Sequence, residues 1–203
     1  MANTVMEYVF VAGIVVQEII RTPRRVRWQR ASHSGEIVEQ RLGTLDVILM
    51  RLGTCGELLA PLFYVANTDW FAFADYDLPA WTGWIGAIFL LLGTWLLLRA
   101  HADLGRNWSP TMEIAEGHRL VTDGIYGLIR HPIYAAMWLT VIAQALMIEN
   151  WFVGFAGLAV YLPLYLTRVP AEERMMIDRF GDEYRVYAER TGGIIPKLGG
   201  RDD

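Results

Sequence analysis

Cysteine and lysine are almost missing from this 203-residue chain: each occurs once, as Cys55 and Lys197. A single cysteine excludes an internal disulfide and leaves the redox compartment open. With no histidine near it in sequence, Cys55 reads as a small packing residue within a hydrophobic segment rather than a nucleophile. Histidine is scarce too. His33, His101, His118 and His131 are too few and too scattered for a histidine-rich di-iron site. The set His101, Asp103, Glu116 and His118 matches no zinc spacing, so no metal is expected. Phosphate loops of the G-x-x-x-x-G-K and G-x-G-x-x-G kinds are lacking, which removes support for soluble nucleotide-binding folds. No nucleic-acid module is present; the arginines between Arg21 and Arg30 suit topology and anionic lipid instead. The N-terminus carries Glu7 and Glu18 and has neither a basic n-region nor a small-residue cleavage site, so a cleaved signal peptide is not expected. Repeats, low-complexity tracts and linkers are absent as well. Residues 1–203 are therefore expected to form a single membrane domain.

What the chain has in excess is apolar surface: 54% hydrophobic residues, eight Trp, nine Tyr and a mean hydropathy of +0.27. Hydrophobic segments occupy residues 5–20, 46–65, 81–98, 133–148 and 151–167, the second interrupted by Arg51, Glu57 and Pro61. Only Glu149 and Asn150 separate the last two, which predicts an antiparallel helical hairpin. Arginine placement tests the count. RTPRRVRWQR follows the first segment, RAHADLGR the third and RVPAEERMMIDR the fifth, while the connection after the second is acidic and aromatic. Five spans put every basic stretch on one side, as the positive-inside rule requires. The expected fold is thus all-α: a polytopic bundle of about five transmembrane helices, N-terminus outside and C-terminus cytoplasmic. Residues 170–190 add a C-terminal amphipathic cytoplasmic helix, with Pro170 in its first turn and Met176, Phe180, Tyr184 and Tyr187 at helical spacing. Arg51 and Glu57, costly in lipid, are expected to face each other or a wet cavity.

The chemistry-bearing residues fall in the second half. In order they are His118-Arg119-Leu120-Val121-Thr122, Gly124-x-Tyr126, Arg130-His131-Pro132-x-Tyr134, Arg168, Glu172-Glu173 and Phe180-Gly181-x-Glu183-Tyr184-x-x-Tyr187. With GRNW at 105–108 and GIIP at 193–196, this series resembles the isoprenylcysteine carboxyl methyltransferase family of integral membrane enzymes. The resemblance covers residues 93–196, the expected cofactor and catalytic half, and leaves residues 1–80 as spans of unassigned role.

The resemblance implies S-adenosyl-L-methionine as methyl donor, bound at the cytoplasmic end of the bundle. His131, Arg130 and the amides opening the fourth span suit the donor's carboxylate. Glu172 and Glu173 suit its ammonium or ribose hydroxyls, and Tyr126, Tyr134 and Leu120 its adenine. Gly124 permits close backbone approach, and His118, Val121 and Pro132 complete the expected set. For the cation that holds an acceptor carboxylate, the family analogy favours Arg168, then Arg99, with Asn107 as a neutral partner. Each residue also has a plainer reading. His131-Pro132 suits a helix cap with proline at the first position; Glu172-Glu173 suits a first helical turn; Arg168 suits a snorkelling interface anchor; Tyr184 and Tyr187 suit packing. Their joint occurrence in family order favours the site.

The expected activity is methyl transfer to a lipophilic small-molecule or prenylated acceptor, with an isoprenylcysteine-like or isoprenoid carboxylate favoured. Phospholipid amines and thiols are alternative acceptors. An NADPH-dependent membrane reductase of the sterol-reductase type shares an H-P-x-Y and acidic-helix pattern, and a non-catalytic scaffold is the third alternative. Membrane lipids are the expected surroundings, in a bacterial inner membrane with the site facing the cytoplasm.

Overall fold

A computed structural model of the chain describes residues 2–33, 37–40, 44–105, 113–115 and 119–197. Helices dominate it. α1 spans Ala2–His33; α2 (Thr44–Thr54), a π-helical turn (Cys55–Leu59) and α3 (Ala60–Ala66) form one continuous rod; α4 is Ala80–Leu104, α5 Pro132–Met147, α6 Trp151–Phe180 and α7 Asp182–Arg190. The one sheet among the described residues is a two-stranded antiparallel ribbon of β1 (Ile37–Gln40) and β2 (Glu113–Ala115). Val47–Ala66, Ala80–Leu104 and Trp151–Phe180 are long and apolar enough to cross a membrane. α5 is apolar but has 16 residues, about 24 Å of helix against a hydrocarbon core of about 30 Å.

α1 packs on the bundle through Met6, Phe10, Ile14, Gln17 and Arg21, all buried, at the three- and four-residue spacing of one helical face. Met6, Phe10 and Ile14 join Leu90 of α4, Ala143 and Met147 of α5 and Val153 of α6 in one core. α4 and α5 approach closely because glycine lines the seam: a Cβ on Gly86 would lie 2.5 Å from Met147 Cγ. Small residues of this kind let membrane helices pack backbone to backbone. The α5–α6 hairpin forms as expected. Asn150 caps α6, its Oδ1 accepting from the Phe152 and Val153 amides at 3.1 Å each.

The fold corrects three sequence-based expectations. No separate helix begins at Pro170; α6 runs through Pro163 and Pro170 to Phe180. Prolines are tolerated inside membrane helices whose neighbours hold them, and Arg168, Glu172 and Glu173 all bond to other elements. The break comes instead at Gly181, whose φ of +57° is a conformation that glycine adopts at no steric cost. Met176 and Phe180 therefore lie on α6, while Tyr184 and Tyr187 are buried on α7. Arg51 is exposed and does not meet Glu57. The buried partner of Glu57 is Arg21 of α1, 3.4 Å away, which also holds Glu18 at 2.9 Å. The reason is the π-turn, which places Glu57 on the buried face of its rod and Cys55 on the exposed one. Cys55 is accordingly not a packing residue.

Candidate functional site

Pro132 sets the start of α5, with its fixed φ suited to the first helical position. The residue before it occupies the cap position, yet its ring makes no cap bond. His131 is buried, and its Nε2 lies 3.0 Å from Glu173 Oε1. An ionised carboxylate only accepts, so Nε2 carries the hydrogen in this contact.

The same Glu173 oxygen receives Nε and Nη2 of Arg130, each at 3.0 Å. Arg130 Nη1 reaches past it to the carbonyls of Ala188 and Thr191 at 3.0 and 2.5 Å, where α7 runs out of its own donors. Main-chain bonds reinforce the clamp: Arg130 N–H donates to Gly192 O at 2.8 Å and His131 N–H to Gly193 O at 3.0 Å. One guanidinium thus ties the start of α5 to α6 and to the C-terminal segment. Beyond residue 167 α6 has left its apolar stretch, and there Glu173 is held at about 2, below its ordinary 4.5, by the His131 bond and by Arg130, against the opposing effect of burial.

A second network lies one turn along. Tyr134 donates to Glu172 Oε1 at 2.5 Å, and Arg168 Nη2 donates to the same oxygen at 3.2 Å. Arg168 Nη1 lies 3.2 Å from Met50 Sδ on α2. Arg168 is only 7% exposed; a snorkelling anchor would keep its head in water, so that reading fails. Tyr161 donates to the Tyr134 carbonyl at 2.8 Å and fixes the local backbone.

The third piece is the turn at Gly124–Gly127. Gly124 has φ +61°, and a Cβ there would fall 2.2 Å from Asp103 Oδ2. That carboxylate accepts the Ile125 N–H at 2.8 Å and pairs through Oδ1 with Arg99 at 3.1 Å. The turn carries Tyr126, which is buried, and its carbonyl accepts the Tyr187 hydroxyl at 2.7 Å. Burial raises the pKa of both phenols, that of Tyr187 to about 12, so they remain hydrogen-bond donors.

The predicted residues Arg130, His131 and Glu173 therefore meet directly, as do Tyr134, Arg168 and Glu172. Leu120 and Val121 are half-buried before the turn, Pro132 is buried, and Arg99 stands with Asp103 rather than in either network. Asn107 and His118 lie outside the described residues. From the sequence Asp103 was expected only among candidate metal ligands. Its four-residue spacing from Arg99 on a helix was the signal that it serves as an ion-pair partner. Met50 and Tyr161 carried no comparable signal. Among the described residues no three His, Cys, Asp or Glu gather as a metal site. An apolar pocket of about 230 Å³ lies between the starts of α1 and α4 and the end of α5, the length of α5 away from His131.

The sequence profile of the isoprenylcysteine carboxyl methyltransferase family matches residues 85–178, which takes in Arg130, His131, Tyr134, Arg168, Glu172, Glu173 and the Gly124 turn. A protein-S-isoprenylcysteine O-methyltransferase B of Arabidopsis thaliana is 30% identical over 141 residues, 68% of this chain and 71% of that protein. The protein-S-isoprenylcysteine O-methyltransferase of Schizosaccharomyces pombe is 29% identical over 112 residues, 54% of this chain and 48% of that one. A cobalt-zinc-cadmium resistance protein, CzcN, of Cupriavidus metallidurans is 30% identical over 120 residues, 58% of this chain and 54% of its own. The chain thus spans about half the length of the last two relatives.

Proposed function

The chain belongs to the isoprenylcysteine carboxyl methyltransferase family of membrane methyltransferases, and we propose that it transfers the methyl group of S-adenosylmethionine to the carboxylate of a lipophilic, isoprenylcysteine-like acceptor. The observation that carries this reading is the paired network. One of the adjacent carboxylates, Glu173, organises a buried imidazole; the other, Glu172, orients a buried guanidinium one turn deeper. That arrangement offers a donor site beside an acceptor site.

The residues fit the donor. Its carboxylate suits the N–H groups that open α5. Its ammonium or ribose hydroxyls suit Glu172, and its adenine suits Tyr126, Leu120 and Val121. Arg130, committed to Glu173 and α7, shapes this cradle rather than contacting the donor. When bound, S-adenosylmethionine supplies an electrophilic methyl group on a sulfonium. The protein then needs no general base, because a carboxylate acceptor is already ionised at neutral pH. Arg168 holds that carboxylate in line, Glu172 keeps the guanidinium from swinging away, and the apolar walls exclude water. In the five-span arrangement that we propose, with the N-terminus outside, the site faces the cytoplasm; the arginines that follow residues 20, 98 and 167 support it.

Titration of the purified full chain with S-adenosylhomocysteine and with NADPH tests the reading. Saturable binding of S-adenosylhomocysteine alone is expected. Binding of NADPH alone would place the chain with membrane reductases, and binding of neither would make it a scaffold. In the same assay Asp103→Ala, which frees the Gly124 turn, weakens S-adenosylhomocysteine about tenfold. Asp103→Asn, which can still accept from the Ile125 amide, recovers most of that loss. Equal affinity in wild type and Asp103→Ala would remove Asp103 from the site.

A further inference from the structure

Between α5 and α6, beside Arg168, four aromatic rings stand together. Trp138 lies edge-on to Tyr161 and Tyr165, with ring centroids 5.1 and 5.6 Å away, and Tyr134 lies 5.9 Å from Tyr165. Leu49 and Met50 of α2 pack against the same cluster, and Met50 is the residue whose sulfur touches Arg168. The cluster and the guanidinium therefore share one wall, formed by the N-terminal half of the chain.

One atom in this wall is out of keeping with packing. The indole Nε1 of Trp138 is buried and has no hydrogen-bond acceptor. Among the described residues Glu57 Oε1 and Gln144 Oε1 share that condition, but their side chains are otherwise anchored. Glu57 holds Arg21, and Gln144 Nε2 donates to the Gly56 and Val153 carbonyls at 2.8 Å each. Trp138 has a single polar atom, and that atom is unmet. Buried indole N–H groups ordinarily find a partner, and a phenylalanine would fill the aromatic cluster without the cost of an unpaired donor.

Its position says what partner it awaits. Trp138 is one turn deeper on α5 than Tyr134; Arg168 is one turn deeper on the antiparallel α6 than Glu172. Tyr134 and Arg168 meet on the same Glu172 oxygen, and the Trp138 ring, one turn further along α5, belongs to the cluster against which Met50 packs while its sulfur touches the guanidinium. A neutral N–H donor beside a cation, walled by aromatic rings and a thioether, matches an anionic head on an apolar tail.

We propose that Trp138 is an acceptor-binding residue whose indole N–H donates to the acceptor's carboxylate alongside Arg168, so that the chain selects lipophilic carboxylates over uncharged lipids of the same tail. This rests on the function proposed above and assigns the selectivity to a residue of that site.

The test is equilibrium binding to the full chain in lipid nanodiscs of two probes: N-acetyl-S-farnesylcysteine and the same thioether lacking the carboxyl group. Wild type prefers the carboxylate. Trp138→Phe, which keeps the ring and removes only the N–H, loses about tenfold of that preference while binding the decarboxylated probe as wild type does. A merely structural role would weaken both probes together. Equal preference in wild type and Trp138→Phe overturns the proposal, as does a wild type that shows no preference. A wild type that prefers the carboxylate yet transfers no methyl group from S-adenosylmethionine would sink the proposed reaction and leave the carboxylate site standing.

Discussion

Arg168→Ala is expected to cut methyl transfer by roughly 10²–10³-fold while leaving S-adenosylhomocysteine affinity within about threefold of wild type. The split between the two effects follows from geometry. The guanidinium touches Glu172 through Nη2 and Met50 through Nη1, whereas the His131–Glu173 pair, one turn nearer the rim, does not contact it. Removing Arg168 thus strips the acceptor's cation, while Glu172 keeps its Tyr134 bond and the His131–Glu173 side of the donor cradle stays closed. Arg168→Lys keeps the charge but loses the planar fork, so its turnover falls between those of wild type and Arg168→Ala. The measurement is transfer of a labelled methyl group to a prenylcysteine, normalised to folded protein, beside a titration with S-adenosylhomocysteine. A residue that only anchored the helix at the interface would change insertion or thermal stability and leave turnover per folded molecule intact. That outcome would take the acceptor's carboxylate away from Arg168.

The bundle is legible in the sequence because its signals are local and strong. The apolar run of α4 and the arginines that flank it needed no tertiary information, and Glu149-Asn150 is too short a link for anything but a hairpin. The course of α6 was not legible. Pro170 followed by two glutamates is the composition of a helix start, and only the bonds from Arg168, Glu172 and Glu173 to other elements explain why the helix continues. Partner choice was hidden for the same reason. Glu57 lies nearer in sequence to Arg51 than to Arg21, but the π-turn decides which face it occupies. Within the candidate site, the motif named Arg130, His131 and Glu173 without their division of labour. An arginine next to a histidine suggests two ligands for one anion. The structure instead spends Arg130 on the carbonyls that end α7, a demand visible only once α7 has been placed. Trp138 was invisible on other grounds: one tryptophan among eight in an apolar helix carries no signal until its nitrogen is found buried and unmet.

Glu173→Ala is expected to open the cradle, lowering S-adenosylhomocysteine affinity by at least about 100-fold and stability by about 2–4 kcal/mol, a fall in Tm on the order of 5–15 °C for a chain of this size. One carboxylate oxygen holds three donors, Nε and Nη2 of Arg130 and Nε2 of His131. Its loss strands the buried imidazole and one side of the half-buried guanidinium at once. Arg130 can still grip Ala188 and Thr191, so α7 stays docked, but nothing then fixes the His131 tautomer or the angle at which α5 begins. Glu173→Gln separates geometry from charge: the amide oxygen still accepts one bond, and the affinity loss is correspondingly smaller. Acid gives an independent check. Because the carboxyl of Glu173 is held at about 2 in the folded chain against an ordinary 4.5, its contribution to stability is complete above pH about 4.5 and is lost as the pH falls toward 2. Wild type and Glu173→Gln should therefore differ in stability at neutral pH and converge in acid. Two variants that bind S-adenosylhomocysteine as wild type does, with an unchanged Tm and the same acid profile, would show that the Arg130–His131–Glu173 clamp neither builds the cradle nor supports the fold.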